Sequence, residues 1–368
     1  MKKYLENKKG ITLVALVITI VILLILATIS IQSLTNTGLF ARAKEAKEKT
    51  QAVTENQAKI LNKYEDELNK YLPNQSGAKL ADKVKVGDYV SYKSDIVSNT
   101  DTKYTTLISN LATYSGSEAN TTSTLTQENL KWRVLDVQNG QVRLISELPT
   151  TSKIELKGYN GYNNAVKLLD DTCSTLYTNL KLAEKVQNLK IEDITKYMTT
   201  QPTLDTATYS PANKYYPEIL LKEKGQTVNG TTGTELDLSE QTNYINQKTK
   251  LQVSSWTLKT TYWIQTMNST NSFKDSKYYE LFIENNGSKY PTYWMSSRCF
   301  DVNFNNANFH VRVVNSGNVG ASTSYNSHDD MGYRTYAFRP VITLNSNVQI
   351  DTENSGDGST VEQAYVIK

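Results

Sequence analysis

The chain has 368 residues, with 40 Lys and Arg against 37 Asp and Glu, for a formal charge of +3. That balance is too small to indicate a nucleic-acid surface. Two cysteines cannot form a structural zinc site without histidine partners, and the chain holds only two histidines, His310 and His328.

Residues 11–31 form an apolar run without a charge, entered through Lys8-Lys9-Gly10. At about 1.5 Å rise per residue, a helix of this length spans a hydrocarbon core of roughly 30 Å. Lys2, Lys3, Lys8 and Lys9 crowd its N-terminal side, which predicts a cytoplasmic N-terminus and an extracellular remainder. A cleaved secretory signal is the first alternative, because Ala27-Thr28-Ile29 approaches a small-residue cleavage site. The run is too long for that reading and is followed by helical spacing. A plain single-span anchor is the second. Leu39, Ala43, Ala46, Val53, Ile60, Tyr64, Leu68 and Tyr71 then fit a heptad seam, which Leu72-Pro73-Asn74 ends.

The junction Lys8-Lys9-Gly10-Ile11-Thr12-Leu13 resembles the class III signal of type IV pilins and pseudopilins. The resemblance implies cleavage between Gly10 and Ile11 by a prepilin peptidase, methylation of the Ile11 amine, and packing of the retained helix against other pilin subunits. Ala15 departs from the pattern, because the family usually carries Glu at the fifth mature position to pair with a neighbour's terminal amine. A carboxylate there is costly in lipid, so Ala15 favours the membrane while removing that pairing. The alternative for the seam is an isolated coiled-coil stalk.

The expected organisation is therefore a leader at 1–10, a membrane-spanning and packing helix at 11–72, a linker at 73–83 and an extracellular head at 84–368. In the head, Trp132–Val137 and Val142–Ser146 flank Asn139-Gly140, a hairpin with a type I′ turn. Tyr279–Glu284, with Asn286-Gly287 and Tyr290 onward, suggests a second hairpin. Phe309, Val311 and Val313 alternate with His310, Arg312 and Val314, which predicts a strand with one buried face. Helical spacing covers Tyr162–Leu180, and a shorter helix begins at Ile191. Residues 199–250 are polar and read as long loops. The fold class is α+β: a long N-terminal transmembrane and coiled helix followed by a β-rich globular head.

Trp132-Arg-Val-Leu, Gly161-Tyr-Asn-Asn-Ala165, Tyr293-Trp-Met-Ser-Ser-Arg298 and Arg339-Pro-Val-Ile-Thr-Leu344 resemble blocks of an extracellular domain. That domain has a C-type-lectin-like or formylglycine-generating-enzyme-like fold, and the resemblance implies a fold more than an activity.

Cys173 and Cys299 form a candidate disulfide, with two buried thiols as the alternative. His310 and His328-Asp329-Asp330 read as surface residues rather than ligands. Asp351–Gly356 with Glu362 partly matches a calcium loop but reads better as a polar turn entering a last strand. Nucleophile-elbow, phosphate-loop and zinc-protease motifs are missing, so no catalytic, cofactor or metal residue is assigned. A surface enzyme of the formylglycine type would need reactive cysteines close together. The stretch from Asn303 to Tyr336 mixes Asn, Ser, Gly, Tyr and Arg as recognition surfaces do. With the preceding block, it nominates Trp294, Arg298, Asn303, Asn306, Asn308, His310, Arg312, Asn318 and Tyr325 as a ligand surface. The expected partners are membrane lipid through 11–31, the peptidase, other pilin subunits and an unidentified extracellular ligand. The expected function is a pilin-like surface subunit with a binding or adhesive head. The alternative is a monomeric membrane-anchored ligand-binding protein.

Overall fold

Asn139 and Gly140 adopt φ of 51° and 78°, and around them the predicted hairpin forms: β2 (Trp132–Gln138) against β3 (Gln141–Ser146). Only residues tolerant of positive φ close a type I′ turn without splaying the strands. The computed structural model describes residues 77–121, 125–200, 272–283, 291–303, 306–315, 318–326 and 331–368, with the backbone of short strands between 207 and 259. The leader, the apolar run and the heptad seam lie outside these residues.

The hairpin belongs to a six-stranded sheet in the order β18-β1-β2-β3-β17-β5. Its other members are β1 (Tyr89–Ser91), β5 (Ala183–Asn188), β17 (Pro340–Leu344) and β18 (Tyr365–Val366). A five-stranded sheet has the order β15-β14-β13-β16-β4. It is built from β4 (Ile154–Lys157), β13 (Tyr293–Asn303), β14 (Asn306–Asn315), β15 (Asn318–Asn326) and β16 (Tyr333–Phe338). Arg339 alone separates β16 from β17, so the chain steps from one sheet to the other across a single residue.

Four helices cover these sheets among the described residues: α1 (Thr102–Tyr114), α2 (Gly158–Tyr177), α3 (Ile191–Thr195) and α4 (Ser276–Phe282). In α2, Ala165, Leu168, Leu169, Thr172, Cys173 and Leu176 recur at three- and four-residue spacing and are all fully buried. They pack with Val134 and Leu144 of the first sheet and with Trp294, Val311 and Val313 of the second. A second cluster joins Leu135, Ile145 and Val341 to Met295, Val314 and Val319, under Ile194 of α3 and Leu281 and Phe282 of α4. Each sheet therefore contributes to two cores, and the described chain is α+β with a β-rich region.

Four expectations change. Tyr279–Phe282 is helical, not the first arm of a hairpin. Asp275 caps α4 by accepting from Lys277 N at 2.8 Å, and Tyr278, Leu281 and Phe282 share the buried face. The linker ends earlier, because residues 77–83 belong to the compact unit. Leu80 is fully buried, its N–H bonds Val348 O, and Ala78 O accepts from Ile350. The 199–250 stretch carries short strands: β6 (Ala207–Tyr209), β7 (Lys214–Pro217), β8 (Ile219–Lys222), β9 (Thr227–Gly230) and β10 (Thr234–Asp237). Two more follow, β11 (Lys250–Val253) and β12 (Trp256–Lys259). Finally, β14 is buried on both faces, since His310, Arg312 and Val314 are as enclosed as Phe309, Val311 and Val313.

The outer edge of β4 is closed by a side chain. Asn120 accepts from Glu155 N at 3.0 Å through Oδ1 and donates to Glu155 O at 2.7 Å through Nδ2. One amide thus supplies both bonds that a further strand would make. Ser115 O takes the Lys157 N–H at 2.9 Å. Gly116 turns the chain there at φ +78°, where a Cβ would lie 2.1 Å from Lys157 O.

Candidate functional site

The nominated ligand surface does not form as one. Trp294, Arg298 and Tyr325 are fully buried, Arg312 is 2 % exposed and His310 9 %. Trp294 donates its indole N–H to Ile154 O at 2.9 Å and packs on Tyr336. The Arg298 guanidinium lies over the Tyr162 ring and donates to the carbonyls of Tyr162 and Asn163 in α2. His310 Nδ1 meets Thr323 Oγ1 at 3.1 Å, and Tyr325 packs between Phe309 and Tyr159. Asn308 and Asn318 are half-buried. Asn303 ends β13 and Asn306 begins β14. The polar composition deceives because the indole of Trp294, one nitrogen of Arg298 and the His310 ring find backbone carbonyls or a hydroxyl inside the protein, which lets these side chains be buried.

The candidate disulfide is also absent. Cys173 and Cys299 are both buried thiols. Successive side chains of a strand leave opposite faces. Arg298 turns toward α2, so Cys299 turns away from the helix that carries Cys173. Burial, with the nearby Asp170 charge, pushes the Cys173 thiol well above its ordinary value, and it stays protonated and unreactive.

Among the described residues no group of three or more His, Cys, Asp or Glu could hold a metal. His328 lies outside them. In the 351–362 segment, Asp351 accepts from Glu353 N and Asn354 Nδ2, and Ser355 Oγ bonds Val366 O. These bonds make the polar turn before β18 that the sequence suggested.

One exposed part of the second sheet is the outer face of the β16–β4 pair. Tyr333 is 58 % exposed and Met331 51 %. Tyr333 stands opposite Lys157, and Thr335 opposite Glu155. Thr335 Oγ1 donates to Glu155 Oε2 at 2.9 Å, and Ser117 Oγ donates to the same carboxylate. Arg334 bonds back to Tyr333 O. A ring, a thioether, a hydroxyl, a carboxylate and an ammonium share this surface. That set suits non-covalent recognition. The Asn-rich loops drew attention instead, although Tyr333 and Thr335 sit at the period-2 spacing of one strand face.

The chain matches no family model, no curated protein and no solved structure. Function therefore has to be argued from its own residues.

Two further clusters are structural. Arg143 grips Asp136 with two bonds of 2.8 and 2.6 Å and reaches Asp193 at 2.5 Å. Tyr197, stacked on Tyr278 at 3.8 Å, donates to Asp136 as well. Burial pushes the Asp136 carboxyl up, but the Arg143 fork and the Tyr197 and Gln138 hydrogen bonds outweigh it and hold the group below the usual carboxylate range. Burial pushes Tyr278 up to about 12. Each of the three guanidinium nitrogens already donates to a carboxylate of the protein. A hollow of 240 Å³ beside Tyr92 and Trp132 is similar. Gln127 on its wall is bonded to Asp95, Leu176 and Val97, and Glu128 to Thr151 and Ser152.

Proposed function

We propose that this chain is a pilin-like surface subunit, anchored by its N-terminal helix and presenting a binding head, rather than an enzyme. The observation that carries this reading is Gly10 set between a short lysine-rich leader and the uncharged run 11–31. A residue without a side chain at that junction suits a peptidase that cuts just before the apolar helix and leaves the helix in the protein. Among the described residues no helix is long and apolar enough to cross a membrane, so the reading assigns anchoring to 11–31. The head, in this reading, is C-type-lectin-like, and it contacts its extracellular ligand without covalent chemistry through the face around Met331 and Tyr333.

Intact-mass measurement of the mature protein tests the reading. The expected species lacks Met1–Gly10 and carries one methyl on the Ile11 amine. A retained leader refutes it, as does a cut at any other bond. Ala15 favours a second reading, a membrane-anchored binding protein that never polymerises, because it removes the carboxylate that pairs with a neighbour's amine. Sheared surface filaments that contain the protein decide against that alternative.

A further inference from the structure

Three of the four edges of the two large sheets are protected against pairing with another chain. On β4 the Asn120 amide and Ser115 O occupy the strand's outward groups. On β5, Glu184 and Lys185 stand exposed at the edge, and β18 has only two residues. Charge and brevity are standard protections of a strand edge. The edge of β15 has none of these. Its sequence Asn318-Val-Gly-Ala-Ser-Thr-Ser-Tyr-Asn326 holds no charge and no proline. Met331 bridges to Tyr325, and Gly332 lies close to Thr323 O, so the far end is covered. Among the described residues, the only hydrogen-bonded backbone neighbour from Asn318 to Ser322 is β14. In an antiparallel ladder every second residue of an edge strand directs its N–H and C=O outward. Asn318 Oδ1, at the start of this edge, is shut from water without a hydrogen-bond partner.

We infer that Asn318–Ser322 is a self-association edge, which pairs antiparallel with the same segment of a second copy of this chain. A two-fold axis at Gly320 sets Val319 opposite Ala321 of the second copy and Asn318 opposite its Ser322. No like charges meet in that register, and the interface is closed and isologous. A second copy fits better than an unrelated strand because the edge is neutral along its whole length and complementary to itself. Ala321 is exposed, and a side chain at Gly320 would meet nothing nearer than Val313 Cγ2 at 4.0 Å, so the approach is open. This inference does not depend on peptidase processing or on filament assembly through the N-terminal helix.

Sedimentation of the full-length protein in detergent micelles tests it. A reversible dimer is expected, with exchange of the Val319 and Ala321 amides, which face away from β14, slowing as protein concentration rises. Ala321→Lys and Ala321→Glu each weaken the dimer by roughly tenfold, since like charges then lie diagonally across the axis, within reach of long side chains. An equimolar mixture of the two variants restores it. That rescue separates edge pairing from misfolding. A monomer at all concentrations overturns the inference, as does a dimer indifferent to both substitutions or a mixture no stronger than either variant alone.

Discussion

The two sheets solve burial differently. The six-stranded sheet buries aliphatic pairs, such as Val134 beside Leu144 and Ile145 beside Val341, and places its main ion cluster near the strand ends, at Asp136 and Arg143. The five-stranded sheet carries Arg298, His310, Arg312, Ser322 and Ser324 into the interior. A polar side chain can enter a core when carbonyls or hydroxyls wait for it, and the cost of leaving it unpaired then enforces one arrangement. The first sheet keeps its buried polar groups, Arg133, Asp136, Ser146 and Asn188, beside aliphatic pairs, whereas the second brings two arginines and a histidine into its middle strands.

Arg339, where the sheets join, gives the sharpest break in that comparison. Its guanidinium donates to Ser146 O twice, to Glu147 O and to the Tyr293 hydroxyl, while its N–H bonds Asn188 Oδ1. Arg339→Ala strands those acceptors, and a loss of about 4 kcal/mol in denaturant unfolding is expected. Arg339→Lys should recover less than half of it, because one ammonium cannot span the carbonyls. If Arg339→Lys unfolds like the parent, the joint is held by packing alone.

Trp294→Phe in the second sheet keeps most of the buried area but orphans Ile154 O. It should cost about 2 kcal/mol. In the first sheet, Ile145→Val removes one methylene and should cost about 1 kcal/mol. Equal costs would erase the distinction between the two sheets.

The Asp136 cluster adds a pH signature. Its carboxyl is held below the ordinary value of 3.8 by Arg143, against the opposing effect of burial. Its contribution is therefore complete above that ordinary value and is lost as pH falls through the lower folded value. Melting temperature should drop on acidification through this window, and Asp136→Asn should flatten that part of the curve while lowering stability near neutrality. The smallest effect belongs to the turn. Asn139→Ala should cost about 1 kcal/mol, and Asn139→Gly almost nothing, because only the positive φ is at stake.

What could be read from the sequence follows the same division. The β2–β3 hairpin and α2 were visible because local signals carry them: a turn pair in one case, helical periodicity in the other. Tyr279–Phe282 reads as strand because Tyr279, Leu281 and Phe282 suit a strand as well as a helix, and the deciding signal is the Asp275 cap. The Asn- and Tyr-rich stretch misleads because composition does not show where acceptors lie. Arg298 becomes interior only once Tyr162 and Asn163, more than a hundred residues earlier, present their carbonyls to it. The Asn120 amide that closes β4 had no local signature at all.

The two ends of the described chain meet. Lys79 bridges to Gln349, Gln349 bonds Lys368, and β18 lies parallel to β1 at the margin of the six-stranded sheet. During synthesis, then, β1 leaves the ribosome long before its last partners exist. The hairpin and α2 can form early from neighbouring residues, but β3 must wait for β17, and the site of Leu80 stays open until Val348 arrives. The unit remains incomplete until β17, Val348 and β18 have been made and are free to pair. If the head is exported as proposed, that schedule leaves it without its completed sheet, and therefore still threadable, while it is moved.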